Sequence, residues 1–385
     1  MACRVEHNPL STVLELLTQE GLEGMGEALR LLLNAAMVLE REQYLGAGAY
    51  ERSEQRRDYA NGFKPKTVKT RLGELDLALP QVRHGGFYPQ SLEKGMRSER
   101  ALKLALAQMY IEGVSTRKVA AITEQLCGFE VSSAQVSRAA AELDDILEQW
   151  RQRPLGRCPY VYLDARYEKL RHGGVVVDVA VLVALGVDEQ GRRQVLGVSV
   201  ALSEAEVHWR TFLHALQGRG LHGVELFISD DHAGLKAARQ AVFPSIPWQR
   251  CQFHLHQNAM AYVPRLEMRK AVAGDIRAVF NAPNETEARR LLKLTVERYA
   301  QSAPRLAAWL EENLPQGLTV FQFPEEHRRR VRTVNLLERL NKEIRRRTRV
   351  ATLFPNEASC LRLVSAVLME VSEEWETGRV YLRMQ

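Results

Sequence analysis

Between Arg157 and Asp231 the chain reads RCPYVYLDARYEKLRHGGVVVDVAVLVALGVDEQGRRQVLGVSVALSEAEVHWRTFLHALQGRGLHGVELFISDD. Three of its runs, CPYVYLD, GGVVVDVAVLVALGVD and QVLGVSVALS, are apolar, rich in β-branched residues and bounded by Gly, Asp or Ser. Such runs predict strands. A helix over 204–217 is expected next, opened by Ser203 with Glu206 three residues on, the pattern of a capping box. GVELFISD predicts a fourth strand, and another helix starts near Ala233. WQRCQFHLH, residues 248–256, predicts a fifth strand.

The order strand, strand, strand, helix, strand, helix is that of a ribonuclease-H-like α/β core, a mixed sheet flanked by helices, although other α+β domains share it. Downstream, residues 258–317 are helical in pattern, with breaks at Pro264, Pro283, Pro304 and Pro315. The last helices are expected over about 334–347 and 356–376. Upstream, STVLELL and EALRLLLNAAMVLEREQYL space their apolar residues as helices do. A basic, Gly-containing stretch follows, RRDYANGFKPKTVKTRLGELDLALPQVRHGGFYP, in which LGELDLALP alternates like a short strand punctuated by Pro80 and Gly85-Gly86.

VSTRKVAAITEQLCGFEVSSAQVSRAAAELDDIL has the signals of a helix-turn-helix. Ser115-Thr116 can cap a helix over 117–126, Gly128 fits the turn, and Ser132-Ser133 can cap a second helix over 134–147. In that reading Arg117 and Lys118 open the first helix. Ser133, Gln135, Ser137 and Arg138 on the second reach bases or phosphates. An αα-hairpin in a small bundle has the same pattern.

The expected organisation has five parts. Residues 1–98 form an N-terminal helical and basic region for DNA binding or dimerisation, and 99–155 the helix-turn-helix. Residues 156–257 form the first part of the core, 258–325 an all-helical insertion, and 326–385 the second part of the core.

The chain has 385 residues, 45% of them hydrophobic, enough for more than one core. No stretch approaches the ~18 uninterrupted apolar residues of a spanning helix. MACRVEHNPL lacks the apolar core of a secretory signal. The five cysteines are scattered without a Cys-x-x-Cys, which fits a reducing compartment. A bacterial or nuclear interior is the expected location. The net charge is +6, and residues 324–350 alone carry ten Arg or Lys against four Glu. A local basic cluster points to nucleic acid more strongly than a global excess does, although a solvated helix face is also compatible with it.

Asp164 ends the first expected strand and Asp230 the fourth. Carboxylates at strand ends reach solvent, and two of them side by side repel unless a cation lies between. Oxygen ligands of this kind suit Mg²⁺. A third carboxylate is available in Glu338, on RTVNLLERLNKEIRRR. Asp231 is an alternative to Asp230, which then caps the next helix; Asp178 is a competing carboxylate; Glu338 can pair instead with Arg332, Lys342 or Arg345. Cys251-x-x-His254, with His232 and His256 near, is half of a structural zinc site, and a packed thiol with a hydrogen-bonded imidazole is the simpler reading. There is no Gly-rich phosphate loop, no Gly-x-Ser-x-Gly and no His-Glu-x-x-His.

YVYLDARYEKLR, RGLHGVELFISDDHAGLKAARQAVFPSIPWQRCQFHLHQNAM and VRTVNLLERLNKEIRRRTRVATLFPNEASCLRLV, together with MYIEGVSTRKVA, resemble the bacterial insertion-sequence transposases of the Mutator superfamily. The resemblance runs from about residue 55 to 376. It implies a DD(E)-type enzyme with a ribonuclease-H-like core broken by an all-helical insertion before the Glu. It assigns the catalytic and metal-binding positions to Asp164, Asp230 and Glu338, and the superfamily's Cys-x-x-His, of undefined role, to Cys251 and His254. Two Mg²⁺ ions are implied, with Mn²⁺ as a substitute. The implied partners are double-stranded DNA, as terminal inverted repeats and target, and a second copy of the chain in the DNA complex; no membrane is involved. Arg332, Asn335, Lys342, Arg345, Arg346 and Arg347 surround the third carboxylate and are candidate DNA contacts. The chain departs from the family's frequent His-x-x-Arg-Asn at His254-Leu255-His256-Gln257-Asn258, and from Arg-Thr-Thr-Asn at Arg332-Thr333-Val334-Asn335. Neither departure touches a metal ligand. The alternative function is a DNA-binding protein of the same fold without catalysis.

Overall fold

The structure is a computed structural model that describes residues 9–349 and 353–384; Cys3 lies outside them. The chain divides into two compact units, Met1–Glu142 and Leu143–Gln385.

The first unit opens with α1 (Pro9–Glu20) and α2 (Met25–Leu45). Gly46 ends α2 in a left-handed conformation, φ 69°, and a Cβ there would lie 2.5 Å from the Gln55 carbonyl oxygen, so only glycine fits. An antiparallel hairpin follows, β1 (Ala60–Thr70) and β2 (Gly73–Val82). Leu75, Leu77 and Leu79 alternate inward from β2 and pack with Met37, Val68 and Leu92. β1 has no alternation to announce it, and β2 runs past Pro80 to Val82. Pro65 and Pro80 both lie inside the pairing. A two-stranded sheet has only edge strands, where a residue without an N–H is tolerated.

The unit closes with α3 (Arg100–Ile111), α4 (Thr116–Cys127) and α5 (Ser133–Ala141) around Leu102, Leu106, Val119, Phe129, Val131 and Val136. Ser115 Oγ accepts the Lys118 N–H at 3.3 Å, Gly128 turns the chain at φ 72°, and Ser132 and Gln135 form a reciprocal capping box. The second helix stops at Ala141 instead of running to 147. Asp144 and Asp145 instead occupy the first turn of a new helix, α6 (Asp144–Arg151), in the second unit. Acidic groups are favourable at a helix N-terminus, and the Arg362 guanidinium grips the Asp144 carboxylate there at 2.6 and 2.7 Å.

The second unit holds a five-stranded sheet of β3 (Tyr160–His172), β4 (Val175–Val187), β5 (Arg193–Ala201), β6 (Leu226–Ser229) and β7 (Trp248–Arg250). The order is β5-β4-β3-β6-β7. β4 is antiparallel to both neighbours, whereas β3, β6 and β7 run parallel. α7 (Glu206–Gly218) and α8 (Ala233–Val242) cover one face through Trp209, Phe212, Leu213, Leu216 and Leu235, which meet Val161, Leu163, Leu182 and Phe227. The expected cap at Ser203 is displaced. Ala205 is the N-cap without a side-chain bond, and Ser203 Oγ only accepts the Ala205 N–H at 3.4 Å.

The run 248–256 is strand for three residues only. Cys251 N–H donates the last bond to the Ser229 carbonyl at 2.8 Å, and α9 (Gln252–Ala261) begins. Its buried Leu255 and Ala259, four residues apart, belong to a helical core rather than to the sheet. α10 (Arg269–Phe280), α11 (Glu285–Tyr299) and α12 (Pro304–Asn313) share that core through Val272, Ile276, Leu292 and Leu306. α13 (Glu325–Val331), α14 (Asn335–Thr348) and α15 (Glu357–Thr377) complete the unit. α15 lies against β5, and α14 against β3 and α15. The two ends of the helical block meet, because Gln252 N–H donates to the Arg332 carbonyl at 3.0 Å. No helix among the described residues is long and apolar enough to cross a membrane.

Candidate active site

Side-chain parity on β3 sets the site. Val161, Leu163 and Ala165 face the layer of α7 and α8. Tyr160, Tyr162, Asp164 and Arg166 alternate to the other side, where their polar ends meet His327, the Arg330 carbonyl and Asn341. β6 runs parallel beside β3 with Leu163 opposite Ser229, so Asp164 and Asp230 each follow the last paired residue of adjacent strands. Phe227 packs on the α7 side, which puts position 230 in register with the face that Asp164 occupies.

Asp164 is held by both oxygens. Oδ1 accepts its neighbour's N–H from Ala165 at 2.9 Å, and Oδ2 accepts Asn341 Nδ2 at 2.8 Å. Burial raises its carboxyl to about 7, and the charges of Asp230 and Glu204 push the same way, against the two hydrogen bonds. Glu338 lies in the first turn of α14, and Asn341 one turn on, so the helix that carries the third carboxylate also fixes the first.

His254 stands between the other two acids. Its Nδ1 is 3.7 Å from Asp230 Oδ2 and its Nε2 3.8 Å from Glu338 Oε1. Cys251 is fully buried and its Sγ accepts the Val334 N–H at 3.4 Å, just ahead of the Glu338 helix; burial raises its thiol. The Cys-x-x-His segment therefore joins the strand of the second acid to the helix of the third.

The alternative carboxylates have different surroundings. Asp231 is engaged by Arg250 at 2.9 Å and Lys236 at 3.0 Å, whereas Asp230 faces His254. Asp178 is exposed on β4 opposite Lys169, beyond the stretch of β3 that β6 accompanies. Three further residues were not singled out in the sequence. Glu204, half-buried, lies 3.6 Å from His232 Nδ1. Asn341 is the clamp on Asp164. At Gly234 a Cβ would sit 2.2 Å from the Glu204 carbonyl oxygen, so its lack of a side chain lets the start of α8 close on the 204–206 turn. The glycine in SDDHAGL was a usable signal; Glu204 and Asn341 gave none before their strands and helix were placed.

Beside Glu338 opens a cleft of about 1050 Å³ lined by Arg166, Tyr167, Lys342, Arg345, Arg346 and Arg349 among others. Lys342, Arg345 and Arg346 are exposed, Arg346 also pairing with Glu343 at 2.7 Å. Asn335 is exposed at the start of α14, and Arg332 donates to Asn281 Oδ1 at 2.8 Å. Arg347 is buried, held by Glu343 at 3.0 Å and by both oxygens of Glu370 at 2.7 and 3.1 Å. In the first unit Arg117, Lys118, Ser133, Ser137 and Arg138 are exposed, while Gln135 is half-buried and its Oε1 caps Ser132 N–H.

The donor set suits a hard divalent cation. All three acids offer oxygen, and the first is kept near neutrality by burial among other negative groups, a field that a cation relieves. The spacing is open: among the described residues no three acid, His or Cys side chains form a closed ligand cluster.

The description of the Transposase, Mutator family matches residues 8–378. The chain is 60% identical, over 99% of both chains, to a transposase for insertion sequence element IS406 from Burkholderia multivorans. It is 37% identical to the transposase for IS1081 of Mycobacterium tuberculosis, over 96% of this chain and 91% of the other. It is 35% identical to that for IS256 in transposon Tn4001 of Staphylococcus aureus, over 90% of each. The chain belongs to the Mutator family of transposases.

Proposed function

We propose that the chain binds the terminal inverted repeats of an insertion sequence and catalyses metal-dependent strand cleavage and transfer of the 3′ ends to target DNA. One observation carries this reading: Asp164, within β3, and Asp230, just past the end of β6, both lie one residue beyond the last β3–β6 pair, on the face where α14 brings Glu338, with His254 between the second and third acids. The strand order, with the first strand central, three antiparallel strands and two parallel additions, supports a ribonuclease-H-like core.

Asp164, Asp230 and Glu338 would hold two Mg²⁺ ions, or Mn²⁺ in their place. When bound, these supply an activated water or 3′-hydroxyl and stabilise the leaving oxygen of the phosphodiester. The chain's own groups prepare that place. Asn341 and the Ala165 N–H fix the Asp164 rotamer, so its free lone pairs keep one direction. His254 keeps Asp230 and Glu338 apart while remaining within reach of both. Lys342, Arg345 and Arg346 along the cleft neutralise backbone phosphates. Arg117, Lys118, Ser133 and Arg138 supply the contacts of the helix-turn-helix. Two element ends must be held at once, which calls for a homodimer in the DNA complex, in the bacterial cytoplasm where the nucleoid lies.

The test is a strand-transfer assay on the DNA that flanks the gene, with Mg²⁺ and with EDTA. Glu338→Gln should remove cleavage and joining, by at least about 10³-fold, while binding to the terminal repeats persists. EDTA should do the same to the unaltered chain. Full strand transfer by the variant sinks the assignment of Glu338, and full activity in EDTA sinks the metal.

A further inference from the structure

The first unit contains a second basic surface, apart from the helix-turn-helix. From Arg52 to Lys69 the chain carries six basic residues against two acids. The end of α2, the loop after it and the start of β1 enclose an open groove of about 940 Å³, with Arg41, Arg52, Arg56 and Arg83 on its lining. Three glutamates also line it, but Glu51 is turned into its own loop, where Oε2 accepts the Gly48 N–H at 2.7 Å.

The arginines are set on aromatic rings. The guanidinium groups of Arg56 and Arg83 lie over the Tyr59 ring, 5.5 and 5.6 Å from its centre. Arg41 lies 4.9 Å from the Phe63 ring. A guanidinium stacked on a ring keeps its in-plane N–H donors available, and that planar fork matches phosphate oxygens. Arg56 uses part of its fork on the Gly48 and Glu51 carbonyls, which shapes the loop. Arg83 and Arg52 are exposed and make no side-chain hydrogen bond or ion pair among the described residues. Arg41 is only 9% exposed; Nη1 donates to the Gly62 carbonyl at 3.3 Å, and its buried Nε has no partner among the described residues. A buried donor left unmatched marks a place where a ligand oxygen belongs. Tyr50, on the same lining, is 95% exposed and holds φ 59°, a left-handed conformation that a tyrosine rarely adopts.

We propose that this groove binds the sugar–phosphate backbone of DNA, as a contact that reads no sequence. The donors are arginine edges, and no ordered pattern of amide groups suited to base edges lines it. This inference rests on the reading of the chain as a DNA-binding transposase.

The test uses the full-length chain and fluorescence anisotropy across a range of salt, on a terminal-repeat duplex, on a shuffled duplex, and on a single strand of the same length. Arg52→Gln combined with Arg83→Gln changes two exposed side chains, and an unchanged melting curve certifies the fold. The double variant should bind about tenfold more weakly on both duplexes, with the salt slope lowered by about two, one per lost phosphate. A comparable loss on the single strand also supports a backbone site. Unchanged affinity and slope overturn the proposal, as does a loss confined to the terminal-repeat sequence. Should the unaltered chain bind none of the three DNAs, the functional reading fails before the groove is tested.

Discussion

The two most basic stretches of the molecule use their charge differently. In residues 324–349, Arg328 is bonded to the carbonyls of Phe323, Pro283 and Phe321, and Arg332 to Asn281. Arg330 stacks on Tyr381 at 4.8 Å, and Arg347 is locked between Glu343 and Glu370. Four of the ten cations counted there thus hold the protein together, and Lys342, Arg345, Arg346 and Arg349 are the ones that line the cleft. In residues 52–69 and the neighbouring Arg83, Arg56 is tied to the Gly48 and Glu51 carbonyls, Lys66 to the Tyr88 hydroxyl and Lys69 to the Glu130 carbonyl and Glu74, whereas Arg52, Arg57, Lys64 and Arg83 are exposed without a side-chain hydrogen bond or ion pair among the described residues. A charge total therefore measures how many cations a segment has, not how many can meet a phosphate.

The comparison can be broken by substitution. The largest effect is expected at Arg347. Arg347→Ala removes a buried guanidinium and its bonds to Glu343 and the half-exposed Glu370, and should lower unfolding stability by about 2 kcal/mol, read from denaturant titration. A change under about 0.5 kcal/mol would mean that Arg347 is no more structural than a surface cation. The next effect is the converse. Lys342→Gln with Arg345→Gln should leave the denaturation midpoint where it is and weaken DNA binding about tenfold, or about 1.4 kcal/mol. A shifted midpoint with unchanged binding would reverse the division drawn above.

The smallest effect concerns pH in the first unit. Asp58 accepts the backbone N–H of His84 at 3.0 Å and of Tyr59 at 2.7 Å, and lies 2.8 Å from His84 Nδ1. The His84 backbone N–H first, then the Tyr59 N–H and the His84 ring, hold its carboxyl below the usual range. The lowered value means that Asp58 contributes stability in full above the unfolded carboxylate pKa of about 3.9. That contribution is lost as pH falls through the lower folded value. Melting curves from pH 6 down to about pH 2.5 should show a steeper decline for the native chain than for Asp58→Asn; parallel curves would remove the tie.

Much of the core was legible in the sequence because β-branched runs and turn residues agree there. CPYVYLD and GVELFISD announce both strands, and Asp230 does follow the end of β6, but β3 runs on past the expected end at Asp164 to His172 because β4 pairs with it throughout, which the polar run ARYEKLRH hides. The hairpin of the first unit was half legible: β2 alternates, but β1 carries Pro65 and three lysines without an apolar alternation, and only pairing makes it a strand. The strand foreseen over 248–256 failed beyond Arg250 because Leu255 and Ala259 answer to a core formed by α10 to α12, which no local pattern reveals. At the candidate site, Asp230 directly follows β6, whereas Asp164 lies inside β3 at the level where the pairing with β6 stops. What sets Asp230 and Asp231 apart was not legible: Arg250 and Lys236 pair with Asp231, and His254 lies by Asp230. Arg347 looked like its neighbours in sequence and differs only because the facing helix presents Glu370.

The bond between Gln252 N–H and the Arg332 carbonyl, with Cys251 Sγ on the Val334 N–H beside it, has a consequence for how such a chain can change over time. The helical block leaves the sheet and returns to it at one doorway, and its interior packs on itself. Closing the loop is already accomplished at the threshold, so its length hardly enters the free energy. Helices can then be added to or exchanged within that block as a cassette, provided the few residues at the doorway keep their bonds.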